Sequence, residues 1–343
     1  MNNKNNRYDR QMRLPEWNQE KIRSSKVVLI GAGALGCIAG INLAAMGAGE
    51  IIVIDFDTVE TSNLSRQLLF RDEHIGQEKA LVAADGLQHF NPDIKVQGIS
   101  SRVQEVPLST FKPQSSKQAV VLLDGLDNFE TRRWVNSLAV NRGFPLVSGG
   151  MYGHFGNLQV ILPGKTACLD CQPLLPEKVL QKACTRPGQR REPQEEEEEI
   201  IPTLASVSSV IGGLMSQETI KIILGDDKQY SNVLHDYLFW DGLTQNFVRM
   251  PLHKRDDCVT CSAKYKLKGI PFTVASDETA KDLLDRATLQ FMLEQPELVH
   301  TARTLDLSNK TPLKEMLDSS KLVYVHDPDY PAPIKLKIVF EKD

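Results

Sequence analysis

Six cysteines and a scattered set of acids and cations carry the chemistry open to this chain. Cys168 and Cys171 form one Cys-x-x-Cys pair, and Cys258 and Cys261 form another. Two such pairs supply four sulfur donors, the ligand set of tetrahedral zinc. The gap between the pairs is far longer than in a zinc ribbon, so the metal would staple distant segments. A redox Cys-x-x-Cys is the competing reading, but it has no need of a second pair. Cys37, among Ile38, Ala39 and Ile41, reads as a small core residue. Cys184 sits in a polar loop between Lys182 and Arg186. Neighbouring cations favour the nucleophilic thiolate; the plainer reading is a free cysteine in a loop.

A second constellation lies nearer the start. Gly31, Gly33 and Gly36 follow an apolar run and precede an apolar helical stretch. Glycines at this spacing serve a tight turn, close approach of backbone to phosphate, and close helix–strand packing. Asp55 follows Gly36 by 19 residues, where its carboxylate can accept hydrogen bonds from ribose hydroxyls. Together they point to a nucleotide and do not separate NAD from ATP. Asn63, Arg66, Gln67 and Lys79 come next. Several cations suit a triphosphate whose α-phosphorus is attacked, because charge builds up in that transition state. Singly, Arg66 and Lys79 are ordinary surface charges; their register favours ATP. Asp127 could hold Mg²⁺ through its carboxylate, or with Asn128 could cap the helix that follows.

These side chains need elements to hold them. The pattern predicts strands over 26–30, 51–54, 94–96, 120–123 and 158–162, and a strand with a turn over 145–150. Helices are expected from the glycine turn to about Met46, from Lys79 onward, over 129–140, and through Ile211 to a stop at Gly225. Closing strands are expected over 233–241 and 247–252. The fold class is therefore α/β, a Rossmann-like, mostly parallel sheet. Residues 1–25 read as an arm and a short helix, with Trp17 as an anchor and the charges of Arg7, Arg10 and Arg13 read by spacing alone as a solvated basic arm, and residues 26–262 as the main domain. The run 192–199, rich in glutamate, is a solvated crossing. Near Ser262 the composition shifts, and 264–268 resembles a linker. Residues 270–343 suffice for a small α+β domain: a helix over 280–292, a strand over 298–303, a short helix with Thr311 as cap and Pro312 first, and strands over 321–325 and 334–340.

An apolar fraction of 41% with 24% charged residues is ordinary for a globular protein. A net charge of −4 gives no basis for nucleic-acid binding. The polar N-terminus lacks a signal peptide's apolar stretch, and no run is long enough to span a bilayer. Those features lead us to expect no membrane partner and a cytoplasmic protein.

Arg7-Tyr8-Asp9-Arg10-Gln11, the glycine turn, Asp55-Phe56-Asp57, Ser62-Asn63-Leu64-Ser65-Arg66-Gln67, Gly76-Gln77-Glu78-Lys79, Asp127-Asn128 and the four paired cysteines together resemble the ubiquitin-activating superfamily. Its simplest members are adenylating enzymes of molybdopterin and thiamine biosynthesis. The likeness covers about residues 7–262. Cys184-Thr185 resembles the catalytic-cysteine loop of the catalytic subunits of SUMO and Nedd-type activators, and Ile200-Ile201-Pro202-Thr203-Leu204-Ala205-Ser206 the segment after it. The tail, with Lys310-Thr311-Pro312-Leu313-Lys314-Glu315-Met316, is similar to their ubiquitin-fold domain, which recruits a conjugating enzyme. Two features depart from that pattern. The cysteine region is short, about 172–199, so a separate cysteine domain is absent. One chain also carries both the arginine arm and the full nucleotide site.

The resemblance implies ATP, Mg²⁺ and Zn²⁺ as cofactors and a ubiquitin-like protein ending in Gly-Gly as substrate. It implies Arg66, Lys79 and Arg10 on the phosphates, Arg10 reaching across a homodimer. It further implies Asp127 on Mg²⁺, Asp55 on the ribose, a thioester at Cys184, and a conjugating enzyme held by 270–343. The alternatives are a sulfur-carrier adenylyltransferase without a thioester step, a non-catalytic scaffold subunit, and an NAD-dependent oxidoreductase. The last explains neither the cations nor the paired cysteines.

Overall fold

The computed structural model describes residues 6–171, 202–225, 230–256, 258, 260–262, 269–291, 293, 295–300, 303–327 and 334–341. Cys184, the acidic run 192–199 and the stretch 264–268 lie outside the described residues.

Five parallel strands form the heart of the main sheet: β1 (Lys26–Ile30), β2 (Glu50–Ile54), β3 (Lys95–Ile99), β4 (Val120–Asp124) and β5 (Leu146–Tyr152). Three antiparallel strands extend it: β6 (Phe155–Ile161), β7 (Tyr237–Asp241) and β8 (Asn246–Met250). The order is β3-β2-β1-β4-β5-β6-β7-β8. β1, β2 and β4 are buried along their whole length, which explains their unbroken apolar sequences. Their side chains alternate between two cores. Val27, Leu29, Ile51, Val53, Val121 and Leu123 pack with α2 (Ala34–Met46), α3 (Lys79–Phe90) and α5 (Ala205–Leu224). Val28, Ile30, Ile52, Ile54 and Leu122 pack with α4 (Phe129–Arg142) and the paired cysteines. The short α1 (Gln19–Arg23) precedes the sheet. Strand order reverses between β1 and β4, so a ligand crevice is expected at their carboxyl ends.

Several boundaries differ from those expected. The predicted turn near Gly149 and Gly150 is strand, and β5 runs through both to Tyr152. These glycines make room for neighbours: a Cβ at Gly149 would lie 2.4 Å from Met215 Sδ, and one at Gly150 would lie 2.8 Å from the Asn157 amide. The turn comes at Gly153, where φ is +56°. β7 starts at Tyr237, four residues later than expected, because the Leu234 N–H is taken by Glu218 Oε2.

The C-terminal segment forms its own sheet, ordered β11-β10-β12-β13-β9. The strands are β9 (Ile270–Val274), β10 (Glu297–His300), β11 (Arg303–Thr304), β12 (Leu322–His326) and β13 (Ile334–Phe340). With α6 (Ala280–Phe291) and α7 (Leu313–Met316) it encloses a separate core that includes Leu283, Leu298, Val323 and Leu336. β9 has no counterpart in the sequence-level prediction. It contains Pro271, which weakens any strand assignment, yet β9 is an edge strand, where proline is tolerated. The single strand expected near 298–303 is the hairpin β10–β11. Pro312 is the residue preceding α7 rather than its first. Among the described residues no helix is long and apolar enough to cross a membrane.

Candidate active site

The glycine turn joins β1 to α2 at the switch point. Gly31 has φ +93°, and a Cβ there would meet Gly125 O at 3.2 Å. At Gly36 a Cβ would lie 2.0 Å from Gly31 O, so this glycine lets α2 close onto the turn. Gly33 differs: its φ is −74°, and a Cβ would meet only Gly125 O, at 3.8 Å. The space over Gly33 is open. Gly33 is also the N-cap of α2, and neither a capping side chain nor an acid occupies that first turn. Free N–H groups and the helix dipole there suit a phosphate.

Asp55, just past β2, reaches across to this turn. Its Oδ2 accepts the Ala32 N–H at 2.6 Å, and its Oδ1 accepts the Asp57 N–H at 2.8 Å. Burial pushes the Asp55 carboxyl above its ordinary range, while those N–H groups and the Lys79 charge pull the other way. Lys79 is the first residue of α3, the end of a helix least suited to a cation. It is buried, and its Nζ lies 3.0 Å from Asp57 Oδ2. Backbone bonds zip the two loops together: Lys79 N–H to Asp57 O, Val59 N–H to Gln77 O, and Gly76 N–H to Val59 O. A buried cation balanced by one half-exposed acid is well placed for an anionic ligand. Asp57 as the partner of Lys79 went unassigned in the sequence reading, although it stands two residues after Asp55.

The other expected residues are placed less directly. Asn63 is buried and accepts the Glu60 N–H through Oδ1 at 3.0 Å, so it shapes its own loop. Arg66 donates to Ser62 O at 2.7 Å, again within the loop. Gln67 is buried, and its Oε1 has no hydrogen-bond partner among the described residues. An orphaned buried acceptor is costly and suits a ligand donor. At Asp127-Asn128 the two sequence readings divide between the residues. Asn128 caps α4 by accepting the Thr131 N–H at 2.9 Å. Asp127 is exposed and makes no hydrogen bond or ion pair among the described residues, which leaves its carboxylate available to Mg²⁺.

Arg10 is exposed and lies away from this turn. Its arm is fastened to the far end of α2: Gln11 donates to Met46 O at 2.8 Å, and Asn91, which also donates to Ala44 O, donates to the Tyr8 hydroxyl at 2.9 Å. Thirteen residues of helix put about 20 Å between that end and Gly33.

The four paired cysteines come together as expected, with their sulfurs within 4.8 Å of one another. Separations are 3.3 Å for Cys171–Cys261, 3.5 Å for Cys168–Cys258 and 3.9 Å for Cys168–Cys171. Zinc–sulfur bonds of about 2.3 Å in a tetrahedron require sulfurs about 3.8 Å apart, so this donor set fits the metal. Hydrogen bonds from Cys258 and Cys261, with burial, push the Cys168 thiol up. The sequence did not reveal what orients this site. Asp170, between the first pair, accepts from Arg133 Nε at 2.7 Å, from Asn136 Nδ2 at 3.1 Å and from the Thr260 hydroxyl. It thereby ties both cysteine pairs to α4. Cys37 is fully buried as expected.

The chain belongs to the ThiF family, which matches residues 8–261. It is similar to the sulfur carrier protein adenylyltransferase of Thermus thermophilus, with 33% identity over 267 residues, 74% of this chain and 90% of that protein. It is also similar to the NEDD8-activating enzyme E1 catalytic subunit of Caenorhabditis elegans, with 29% identity over 357 aligned positions, 84% of this chain and 80% of that protein. Among solved structures, E. coli MccB with ATP matches with a TM-score of 0.59 at 26% identity, covering 75% of each chain.

Proposed function

We propose that this member of the ThiF family uses MgATP to adenylate the C-terminal carboxylate of a small ubiquitin-like protein ending in Gly-Gly, then takes the acyl group onto Cys184. The observation that carries this reading is one unbroken line of contacts. It runs from the Gly125 N–H, in the turn that carries Asp127, to Ile30 O next to Gly31, through Ala32 to Asp55, and through Asp57 to Lys79. That line brings the α2 N-terminus, the Asp55 carboxylate and the buried Lys79 cation close together, which supports the reading.

In this reading a carboxylate oxygen of the protein substrate attacks the α-phosphorus. The bond from that phosphorus to the bridging oxygen breaks, and pyrophosphate leaves. The α2 N-terminus, Lys79 and Arg66 offset the charge that develops. Asp55 holds the ribose, and Asp127 would hold Mg²⁺, which supplies charge neutralisation at the phosphates. The Cys184 thiolate then attacks the acyl carbon and releases AMP. Zinc on Cys168, Cys171, Cys258 and Cys261 acts as a staple. Arg10, at the far end of α2 in its own chain, serves the site of a second copy in a homodimer. Residues 270–343, whose described part holds the second sheet and α6, present the conjugating enzyme. The likeness to the NEDD8-activating subunit takes in 84% of the chain at 29% identity and that to the sulfur-carrier enzyme 74% at 33%, so it is the longer reach of the first that supports the activator reading. The sulfur-carrier reading keeps the adenylation and drops the thioester.

Pyrophosphate exchange with the protein substrate tests the first half. Asp127→Ala and Arg66→Ala should each lower it by about 100-fold, and unchanged exchange would remove those assignments. Cys184→Ala should retain exchange and lose the reductant-sensitive adduct. An adduct that survives this change, or that resists reductant, moves the reading to the sulfur-carrier enzyme.

A further inference from the structure

We propose that Arg132, through the buried carboxylate of Asp124, is a positioning residue for the turn that carries Asp127. The inference rests on the reading that Asp127 engages the magnesium of MgATP.

Asp124 ends β4 and has no exposed surface. A carboxylate buried this deeply needs every lone pair engaged. Its Oδ1 accepts the Leu126 N–H at 3.0 Å, inside the turn. Its Oδ2 accepts Arg132 Nε at 3.0 Å and the Ser148 hydroxyl at 2.8 Å. Arg132 extends the network, with Nη2 donating to Ser148 Oγ at 2.9 Å and to Gly149 O. Its Nη1 lies 3.2 Å from where a Cβ on Gly150 would stand, so glycine there gives this guanidinium room.

Arg132 therefore grips both ends of one short turn. Its backbone N–H donates to Asn128 O at 3.1 Å, and its side chain holds Asp124. Between those two residues, Gly125 N–H is fixed to Ile30 O at 3.0 Å. Asp127 has no such tie among the described residues, so its position is inherited from its neighbours. A buried ion pair is seldom the most stable way to fill such a site. What this one supplies is a fixed path for the turn beside the glycine loop. A lysine could keep the charge, but not the planar fork that reaches Asp124, Ser148 and Gly149 together.

The test is calorimetric titration of the full chain with ATP at graded Mg²⁺, beside AMP in EDTA. Arg132→Lys should reduce the Mg²⁺ enhancement of ATP affinity by about 10-fold, as loss of a group orienting a metal ligand does, with AMP affinity within about twofold. The double variant Asp124→Asn, Arg132→Met removes the pair without stranding a charge, and should show the same loss. Asp127→Ala should match it, and adding Arg132→Lys to Asp127→Ala should change nothing more. If Asp127→Ala loses the enhancement while both Arg132 variants retain it, the positioning role is wrong. If AMP affinity falls in parallel, Arg132 supports the fold and not the turn, and the proposal also fails. If Asp127→Ala keeps the enhancement, the assignment of Asp127 falls, and this inference with it.

Discussion

Substituting Gly33 and Gly36 separately by alanine should produce opposite defects, although the two lie three residues apart in one motif. At Gly36 the new Cβ would sit 2.0 Å from Gly31 O and 3.1 Å from Gly31 C, where ordinary contact begins at 3.4 Å. Backbone must open by more than an ångström, which costs about 3 kcal/mol or more. For a domain of this size that lowers the melting temperature by about 6–12 °C. At Gly33 the Cβ meets only Gly125 O, at 3.8 Å, and φ is −74°, which alanine adopts freely. The fold loses only the difference between glycine and alanine at an N-cap, about 0.5–1 kcal/mol, or about 1–4 °C. The added methyl does, however, enter the open space over the α2 N-terminus. If phosphate sits there, ATP affinity should fall at least about 10-fold, or about 1.4 kcal/mol. Scanning fluorimetry and ATP titration calorimetry read the two effects apart. A Gly33→Ala protein that binds ATP like the parent would refute the phosphate cradle. A Gly36→Ala protein as stable as the parent would refute the packing argument.

Three further outcomes follow from the same geometry. Asp55 carries a raised carboxyl, so as pH falls it takes a proton before an ordinary aspartate would; ATP affinity should begin to weaken above the usual carboxylate range, and Asp55→Asn should bind more weakly with that pH dependence gone. Cys37 is fully buried, and burial pushes its thiol up to about 12; at pH 8 only about 1 in 10⁴ would be thiolate, and iodoacetamide followed by peptide mass spectrometry should find it unmodified until the chain is unfolded. Elemental analysis should find about one zinc per chain, and its removal by chelator, or Cys258→Ser, should lower the melting temperature by about 5–10 °C.

The legible parts of this protein were those where one local pattern has one physical use. The strand–glycine–helix unit with its spaced acid, and the two cysteine pairs, were complete in the sequence because their geometry is set by a few neighbouring residues or by a metal's fixed valence. Less legible were the places where glycine or proline has two uses. Gly149 and Gly150 read as a turn, yet they give way to Met215, Asn157 and Arg132, contacts that exist only once the sheet is formed. Proline at 271 disfavours a strand in general, yet edge position in the second sheet permits it.

The amino-acid sequence by itself determined that a strand–glycine–helix unit, a spaced acid, a set of cations and two Cys-x-x-Cys pairs belong to one chain. Spacing and residue type encode each of those locally. Only the tertiary structure decided which groups meet. Lys79 is paired with Asp57 because two loops zip together. Asn128 caps its helix while Asp127 stays free of partners among the described residues. Arg132 and Asp124 join β4, β5 and α4 beneath the site. The reason is that a buried charge takes its partners from whatever the fold brings within 3 Å or so, and strand order, which brings β4 and β5 together, is not written in any single stretch of the chain.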